Sequence, residues 1–476
     1  MKIDQITLIV PPFEREIGVV PICSSIVGTR IFPSLGLGYI AAVLENVGHK
    51  IRYIDMYAED LKIKDLLSRL RKSPPSIVGI TSDVVTYYTA RKIAFAIKRK
   101  FPDSILITGG PHTTLYPKEL LINSSFDFCV RGEGEHTIIE LIDALMKNQP
   151  LKDIKGLSYK ENGNIFVNEN RPLIKDLDKI PFPARHLMPM DKYCSPIAKK
   201  GKFTTIMGSR GCPFRCSYCL EQGPLRLRSP KNIVDEIEFV MQNYDISEFY
   251  FHDSTFTANV KHAVRFCQEI IKRKLNIIWE CKTRVDCVSR NLLGLMKYAG
   301  CERIHYGIET GNPRIMKVLN KKLTLKQALN AINWTKEANI EVLTYFMIGS
   351  PHENLNTIAD TLRFAKKLDP DFALFSVTSA GPGMAIYEAA LKEGVFKKDY
   401  WMDFILGNIP DLPRLSFETD EYTREDLVKI AKKMYFQFYF RPRLILKRLR
   451  KIKSKQELYN HVYGLLNLIK SFFESS

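Results

Sequence analysis

Short apolar runs alternate with helical apolar patterns along the first third of the chain, residues 1–147. The apolar runs predict strands at Ile6–Val10, Ile51–Asp55, Ile77–Thr81, Ile105–Thr108 and Phe126–Val130. Helical patterns fall between them, near 37–47, 61–72, 86–100 and 135–147. Strands that alternate with helices favour a doubly wound, flavodoxin-like parallel sheet. Ligands of such sheets bind beyond the carboxyl ends of the strands.

Residues 148–202 lack this alternation. Gly156–Lys160 and Ile165–Asn168 flank Asn162-Gly163, which is a strong hairpin signal. Five prolines between 172 and 196 then favour an extended connection. We therefore expect a linker that contains one hairpin.

A second β/α series runs from residue 203 to about 384. Its predicted strands are Phe203–Met207, Glu248–His252, Ile277–Cys281, Arg303–Ile308, Glu341–Met347 and Phe372–Val377. Its helical patterns lie near 230–243, 261–274, 290–299, 324–338 and 354–368. Six such units predict a partial (β/α)6 barrel, and residues 385–476 predict a mostly helical C-terminal region.

Composition bounds the class of protein. The chain has 476 residues, 45% apolar and 26% charged, as in soluble globular proteins. We find no apolar run long enough to span a bilayer and no signal-peptide pattern at Met1, and so expect a cytoplasmic protein with reduced cysteines. Much of the net charge of +18 is local, since residues 441–455 hold eight Lys/Arg and no acid, next to aromatics at 435–440. This pattern is typical of peripheral contact with an anionic membrane, and equally of a helix that closes the fold. No RNA-binding module is found, so no nucleic-acid partner is expected.

The most specific motif is Cys212-x3-Cys216-x2-Cys219, directly after the first strand of the second series. Three thiolates suit a 4Fe–4S cluster with one open iron. The alternatives are a structural zinc site or buried thiols, but zinc motifs offer four ligands and no second cysteine pair lies nearby. The aromatic Tyr218 would flank whatever binds the open iron.

The cysteine motif resembles that of the radical S-adenosylmethionine (SAM) enzymes. The resemblance implies that SAM binds the open iron and is cleaved to a 5'-deoxyadenosyl radical. It also implies roles in SAM binding for residues near later strand ends. These are Tyr218 beside the cluster, Asp253, Arg284 for the carboxylate, Glu309 for the amino group or ribose, and Gly349 beside the adenine.

A doubly wound sheet ahead of such a barrel resembles the cobalamin-binding radical SAM family. Ser82-x-Val84 resembles the family's Ser-x-Leu element, and Gly109-Gly110 follows at a similar distance to the usual one. The resemblance implies that the cobalamin tail lies in loops that hold Ser82, Gly109, Gly110, Pro111, Leu35 and Gly134. The usual Asp-x-His-x-x-Gly is missing after the first strand, so no lower axial histidine is expected. His112 is not assigned to cobalt.

The resemblance implies methyl transfer to an unactivated carbon, with a 4Fe–4S cluster, SAM and cobalamin as cofactors. Cyclisation or rearrangement of a lipid or tetrapyrrole by the same machinery is the alternative, and a non-catalytic cobalamin or iron–sulfur sensor is a third reading. The expected partners are a small-molecule substrate, such as a lipid, terpenoid or tetrapyrrole, and an electron donor such as flavodoxin or ferredoxin.

Overall fold

The computed structural model describes residues 5–13, 31–195, 197–409 and 415–451. The chain divides into two compact units. The first contains residues 5–13, 33–193 and 398–409, and the second contains 31–32, 194–195, 197–397 and 415–451.

The sheet of the first unit has five parallel strands in the order 2-1-3-4-5, which is the flavodoxin-like order. The strands are β1 (Ile6–Val10), β2 (Ile51–Asp55), β3 (Ile77–Thr81), β4 (Ile105–Gly109) and β5 (Phe128–Val130). The connecting helices are α1 (Leu35–Asn46), α2 (Ile63–Lys72), α3 (Tyr87–Lys100), α4 (Pro111–Leu115), α5 (Pro117–Ile122) and α6 (Gly134–Lys147). The strands are apolar and mostly buried, as expected for a sheet with helices on both faces. The predicted doubly wound sheet is therefore confirmed.

The second unit holds a six-stranded parallel sheet whose strands follow chain order. They are β8 (Thr204–Ile206), β11 (Glu248–Phe251), β12 (Ile278–Thr283), β13 (Cys301–Glu309), β14 (Glu341–Ile348) and β15 (Phe372–Val377). Between them lie α7 (Pro230–Tyr244), α8 (Val260–Lys272), α9 (Arg290–Tyr298), α10 (Pro313–Val318), α11 (Leu325–Glu337) and α12 (Leu355–Leu368). Among the described strands β8 and β15 do not pair, which confirms the partial barrel.

The predicted hairpin is present but is not a linker. Its strands β6 (Leu157–Glu161) and β7 (Asn164–Val167) extend the first sheet, because β6 pairs antiparallel with β5. This pairing covers the edge that β5 would otherwise leave open. The first compact unit therefore extends past the predicted boundary at residue 147, to 193.

The C-terminal region also divides differently from the predicted single appendage. After α13 (Ala385–Lys392), the helix α14 (Tyr400–Leu406) belongs to the first unit. Phe404 packs against Tyr87 at a ring distance of 5.8 Å, and Asn123 Nδ2 donates to the Ile405 carbonyl at 2.9 Å. Burial of this apolar helix, which includes Trp401, explains why the segment packs in the first unit and not with the rest of the C-terminal region.

The helix α15 (Arg424–Tyr439) covers the outer edge of β15. The backbone N–H groups of Phe375 and Ala373 donate to the hydroxyls of Tyr435 and Tyr439, each at 2.9 Å. The two tyrosines thus satisfy backbone donors that no further strand pairs. Part of the aromatic cluster at 435–440 is therefore structural.

Candidate functional site

The cysteine loop follows β8 and is held by backbone hydrogen bonds. Gly223 N donates to the Cys212 carbonyl at 3.0 Å, next to a short hairpin of β9 (Ser209–Arg210) and β10 (Arg226–Leu227). Gln222 Nε2 donates to the carbonyls of Cys216 and Cys219, at 2.9 and 2.8 Å. These contacts fix the backbone of all three cysteines.

Cys212 and Cys216 are buried and Cys219 is half-buried. Burial raises the pKa of the Cys219 thiol, and charge on Cys216 or Cys212 would raise it further. Three thiolates in one short loop repel one another unless a cationic centre binds them. Within the described ranges, no three Cys, His, Asp or Glu side chains are close enough to hold a single metal ion. A cubane takes one thiolate at each of three irons, and the three cysteines of this loop could supply them.

Tyr218 and Glu309 meet at a buried lysine, Lys321. Tyr218 Oη donates to Glu309 Oε1 at 2.9 Å, and Lys321 Nζ donates to both, at 2.8 Å each. Burial, and then the Glu309 charge, raise the pKa of Tyr218 well above its usual range, so the phenol stays protonated. The cysteine loop is thereby joined to the end of β13.

The end of β13 is irregular, and this irregularity directs the Glu309 side chain to Tyr218 and Lys321. Glu309 has a φ of +69°, and the register with β14 shifts between Gly307 and Glu309. Such a φ is costly for a residue with a side chain, and strain of this kind concentrates at functional sites. A Cβ at position 307 would overlap Glu309 Oε1 and lie 2.9 Å from Lys321 Nζ, so the bulge also requires glycine there.

Arg284 lies at the end of β12 and faces the cysteine loop. Its Nε and Nη2 donate to the two oxygens of Asp286, each at 2.9 Å, and Nη2 also donates to the Lys321 carbonyl at 2.8 Å. Nη1 lies 3.8 Å from Cys216 Sγ, and the guanidinium stacks on Phe214 at 3.9 Å. The fork is therefore fixed by Asp286, with Nη1 directed to the cysteine loop.

Asp253, after β11, is buried and bonded within the protein. Its carboxylate accepts hydrogen bonds from Gly208 N at 2.9 Å and from Ser209 Oγ. Burial raises its pKa, and these two donors partly offset that effect. In this arrangement Asp253 shapes the start of the cysteine loop. A contact of Asp253 with SAM stays a prediction.

Gly349, after β14, has a φ of +73°, and an added Cβ would overlap Leu427 Cδ1 of α15. The space beside this glycine is thus used by the C-terminal helix. The next residues form a tight turn, in which Glu353 Oε2 accepts from Ser350 N at 2.8 Å. A contact of Gly349 with adenine stays a prediction.

Sequence reasoning missed Lys321 and Phe214. Lys321 stands in a Lys-Lys pair in a turn, a pattern typical of solvent exposure, yet it is only 5% exposed. Phe214 lies between two cysteines and could have been singled out as a stacking partner for a nearby arginine. Nothing local in the sequence marks Lys321.

Polar side chains line the face of the second sheet opposite its helices. His305 contacts Glu280 through Nε2 at 3.1 Å and Tyr345 Oη through Nδ1 at 2.9 Å. Lys282 lies beside His305 in the strand register, with Nζ 5.9 Å from the Tyr250 ring. This face offers hydrogen bonds and positive charge rather than a purely apolar wall.

In the first unit, the predicted cobalamin residues lie at the carboxyl ends of β3 and β4. Ser82 N donates to the Gly109 carbonyl at 2.7 Å, and His112 N lies 3.4 Å from the Ser82 carbonyl. Gly110 has a φ of +117°, and an added Cβ would overlap the Ser82 carbonyl oxygen. Gly110 is therefore required by the close approach of two strand ends, and Pro111 follows it at the exposed start of α4.

Leu35 and Gly134 begin the helices α1 and α6. Leu35 is 5% exposed, and an added Cβ at Gly134 would lie 3.0 Å from Val130 Cγ1 and 3.2 Å from Ile40 Cδ1. Both positions serve the packing of their helices on the sheet. Their contact with cobalamin stays a prediction.

Two buried polar groups in these loops have no hydrogen-bond partner among the described residues. They are the Ser82 hydroxyl and both ring nitrogens of His112, and both residues are 0% exposed. Buried polar groups are nearly always paired, so polar atoms of a ligand fit here. The residues present are therefore compatible with a cobalamin tail.

Two family models match the chain: the radical SAM superfamily over residues 206–365 and the B12 binding domain over residues 26–142. The chain is 36% identical over 453 residues to an uncharacterized methyltransferase, PH0819, of Pyrococcus horikoshii, covering 94% of this chain and 95% of the relative. It is 29% identical over 369 residues to the anaerobic magnesium-protoporphyrin IX monomethyl ester cyclase of Rubrivivax gelatinosus, covering 75% of this chain and 66% of that protein.

Two solved structures share the fold. The methyltransferase TsrM from Kitasatospora setae, with cobalamin and a [4Fe-4S] cluster bound, matches with a TM-score of 0.76 at 16% identity and covers 99% of both chains. OxsB, a cobalamin-dependent SAM radical enzyme with aqua-cobalamin and SAM bound, matches with a TM-score of 0.68 at 18% identity and covers 99% of this chain and 72% of that chain. Together with the cysteine loop and the two sheets, these findings show that the chain belongs to the cobalamin-binding radical SAM enzymes, which use a 4Fe–4S cluster, SAM and cobalamin.

Proposed function

We propose that this enzyme transfers a methyl group to an unactivated carbon of a small molecule. The observation that carries the proposal is the chain-long similarity to a methyltransferase, with 36% identity over 94% of this chain. This chain also matches both family models. When bound, the cluster and SAM supply a 5'-deoxyadenosyl radical that removes hydrogen from the substrate, and cobalamin supplies the methyl carrier.

In this proposal Cys212, Cys216 and Cys219 hold the cluster. Arg284 Nη1 binds the carboxylate of SAM, because its other donors are fixed by Asp286 and Lys321. Glu309 and Tyr218 form the wall beside the amino group or ribose, with Lys321 holding the Glu309 carboxylate in place. Asp253 holds the start of the cysteine loop, and Gly349 begins the turn after β14.

We assign cobalamin to the first unit and SAM to the second. The B12 family model lies over residues of the first unit, apart from its first few, and the radical SAM model lies inside the second. Ser82, Gly109, Gly110, Pro111, Leu35 and Gly134 then form the loops beside the cobalamin tail. Since α14 packs in the first unit, a truncated cobalamin domain needs residues 398–409 as well as 5–193.

Cyclisation of a tetrapyrrole is the second candidate function, favoured by the 29% identity to a magnesium-protoporphyrin cyclase. In either case we expect the substrate to lie against the face of the second sheet that is opposite its helices. Lys282, His305 and Tyr345 favour a substrate with acidic or polar groups, such as a tetrapyrrole with its carboxylates, over a pure hydrocarbon lipid or terpenoid.

We also propose an acidic electron donor such as flavodoxin or ferredoxin, because a net charge of +18 attracts acidic partners. No helix in the described ranges is long and apolar enough to cross a bilayer. Peripheral contact with an anionic membrane is proposed for the basic C-terminal segment, and its test is given in the Discussion.

The experiment is methyl transfer from SAM labelled at its methyl carbon, with reconstituted cluster and added cobalamin under anaerobic conditions. The label should appear in the product, together with 5'-deoxyadenosine. Cys216→Ala should lose both, because the cubane then lacks one of three thiolates. Cys267→Ala is the matched control, since Cys267 is a buried cysteine inside α8, and it should keep cluster and activity. Unlabelled product with full SAM cleavage would favour cyclisation, and 5'-deoxyadenosine from Cys216→Ala would refute the cluster assignment.

A further inference from the structure

Thr255 follows β11, and its hydroxyl lies beside the first cysteine of the cysteine loop. Thr255 Oγ1 is 3.7 Å from Cys212 Sγ, which is within hydrogen-bond distance for sulfur. Both residues are buried, with exposed fractions of 5% and 8%. Among the described residues, this sulfur is the one hydrogen-bond partner of the Thr255 hydroxyl.

The segment that carries Thr255 is held on both sides of this residue. Asp253 accepts a hydrogen bond from Gly208 N at 2.9 Å, and Phe256 N donates to the Lys282 carbonyl at 2.9 Å. The Phe256 ring packs against buried rings of β11, α8 and β12. These contacts fix the backbone of Thr255, and a β-branched side chain has few rotamers available. The hydroxyl is thereby directed to the cysteine loop.

The direction of this hydrogen bond depends on the state of Cys212. In the free thiol, either the S–H or the O–H group can be the donor. A cysteine that binds iron is a thiolate and has no proton to donate, so the hydroxyl must then be the donor. Hydrogen bonds to a charged acceptor are roughly twice as strong as those between neutral groups. The contact should therefore strengthen when Cys212 binds iron.

Resting on the assignment of the 4Fe–4S cluster to Cys212, Cys216 and Cys219, we propose that Thr255 donates a hydrogen bond to the Cys212 sulfur and thereby raises the reduction potential of the cluster. The reduced cluster carries one more negative charge, so a donor at its sulfur stabilises the reduced form more than the oxidised form. Thr255 is not a ligand of iron. Arg284 Nη1 lies 3.8 Å from Cys216 Sγ, but the carboxylate of SAM competes for this second donor in the proposed function.

The test is a redox titration of the reconstituted full-length protein without SAM, followed by the electron paramagnetic resonance signal of the reduced cluster. Thr255→Val keeps the shape of the side chain and removes the hydroxyl, so the midpoint potential should become more negative at unchanged iron content. The equilibrium constant for one-electron reduction should fall several-fold. Thr255→Ser keeps the hydroxyl and should restore most of the wild-type potential. Thr257→Val is the matched control and should leave the potential unchanged, because the buried Thr257 hydroxyl pairs with that of Thr283.

Exchangeable protons near the cluster give a second measurement on the same samples. Pulsed electron paramagnetic resonance in H2O and D2O detects protons that couple to the reduced cluster and exchange with solvent. One such coupling of the wild type should be missing from Thr255→Val and present in Thr255→Ser. A role of Thr255 in packing alone would not change this signal.

The outcomes separate the failure of this inference from the failure of the cluster assignment. An unchanged potential in Thr255→Val at full iron content would overturn the role of Thr255. An equal fall of the potential in Thr255→Ser would also overturn it, because that fall would come from packing. If Thr255→Val binds no cluster, Thr255→Ala removes the hydroxyl without the second methyl group and takes its place in the titration. If the wild type itself binds no cluster, the cluster assignment fails before Thr255 is tested.

Discussion

At the scale of single residues, the site is built from groups that local sequence does not pair. Glu309 is joined to Tyr218, 91 residues away, and to Lys321, 12 residues away, and Arg284 is stacked on the distant Phe214 while its neighbour Asp286 orients it. Each contact uses a charged or aromatic side chain at a strand end or in a turn. Removal of one partner would leave another buried group unpaired.

Glu353 gives the second unit a predictable dependence on pH. Burial raises its pKa from 4.5 to about 7, and hydrogen bonds from the Ser350 and Gly349 backbone only partly offset this. The folded chain therefore holds this proton more tightly than the unfolded chain. The contribution of Glu353 to the free energy of unfolding is highest below pH 4.5. It falls by about 3 kcal/mol as the pH rises to about 7.

The measurement is the free energy of unfolding of apoprotein at several pH values between 4.5 and 7.5. Glu353→Gln cannot ionise, so the variant should lack this fall, and the difference from wild type should grow towards pH 7. Glu393→Gln, at an exposed position, is the control and should follow the wild type. If wild type and Glu353→Gln change in parallel, this interpretation of Glu353 is wrong.

At the scale of elements, the site depends on how helices cover the second sheet. The helix α15 caps the edge of β15 through two tyrosine hydroxyls and fills the space beside Gly349 with Leu427. The turn after β14 is therefore shaped by a helix that lies far along the chain. Its amphipathic pattern predicts burial but not the strand that it covers.

We expect Gly349→Ala to destabilise the second unit by at least about 1 kcal/mol, because alanine is strained at a φ of +73° and its Cβ would overlap Leu427. The double variant with Leu427→Ala should lose less than the sum of the single variants, since the overlap is gone. Gly294→Ala, inside α9 with no atom within 4 Å of an added Cβ, should instead stabilise by about 0.5–1 kcal/mol. Thermal unfolding of Gly349→Ala, Leu427→Ala, their double variant and Gly294→Ala measures these effects. Strict additivity of Gly349→Ala and Leu427→Ala in the double variant would argue against the contact.

At the scale of the whole molecule, the net charge of +18 and the basic run at 441–455 remain to be explained. Arg441 is structural, because it donates to Asp369 at 3.0 Å and stacks on Phe438 at 4.3 Å. Leu444 of the last described helix, α16 (Pro442–Lys451), is buried, while Ile445 and Leu446 are 41% and 54% exposed. The side chains from Lys447 onward lie outside the described residues. The start of the segment closes the fold, and its remainder is available for the membrane hypothesis.

We predict salt-sensitive binding to anionic vesicles through this remainder. Each Lys or Arg near such a surface contributes about 1 kcal/mol, so replacement of four by Gln should reduce vesicle binding by more than about a hundredfold. The four are Lys447, Arg448, Arg450 and Lys451. The charge-matched control replaces four exposed residues of α2 and α3 in the first unit, Lys64, Arg71, Lys72 and Lys100, and should bind nearly normally. Co-sedimentation across a salt series measures this, and no binding of the wild type at low salt would reject membrane contact.

The sequence by itself determined the two β/α series, most of their strands and the cysteine loop. Each of these rests on local information: strand and helix periodicity, and three thiols within eight residues at the end of one strand. The bounds of β1, β2, β3 and β15 agree with the predicted runs to the residue. The same local spacing, read with its resemblance to a family, also indicated the cofactors.

Only the tertiary structure decided which distant residues meet. It placed the hairpin in the first sheet, returned α14 to the first unit and joined Lys321 to Glu309 and Tyr218. It also left the Ser82 and His112 side chains together and unpartnered within the described residues. These pairings come from open strand edges, apolar burial and unsatisfied charges that act between segments far apart in the chain. The periodicity of any one segment carries no information about them.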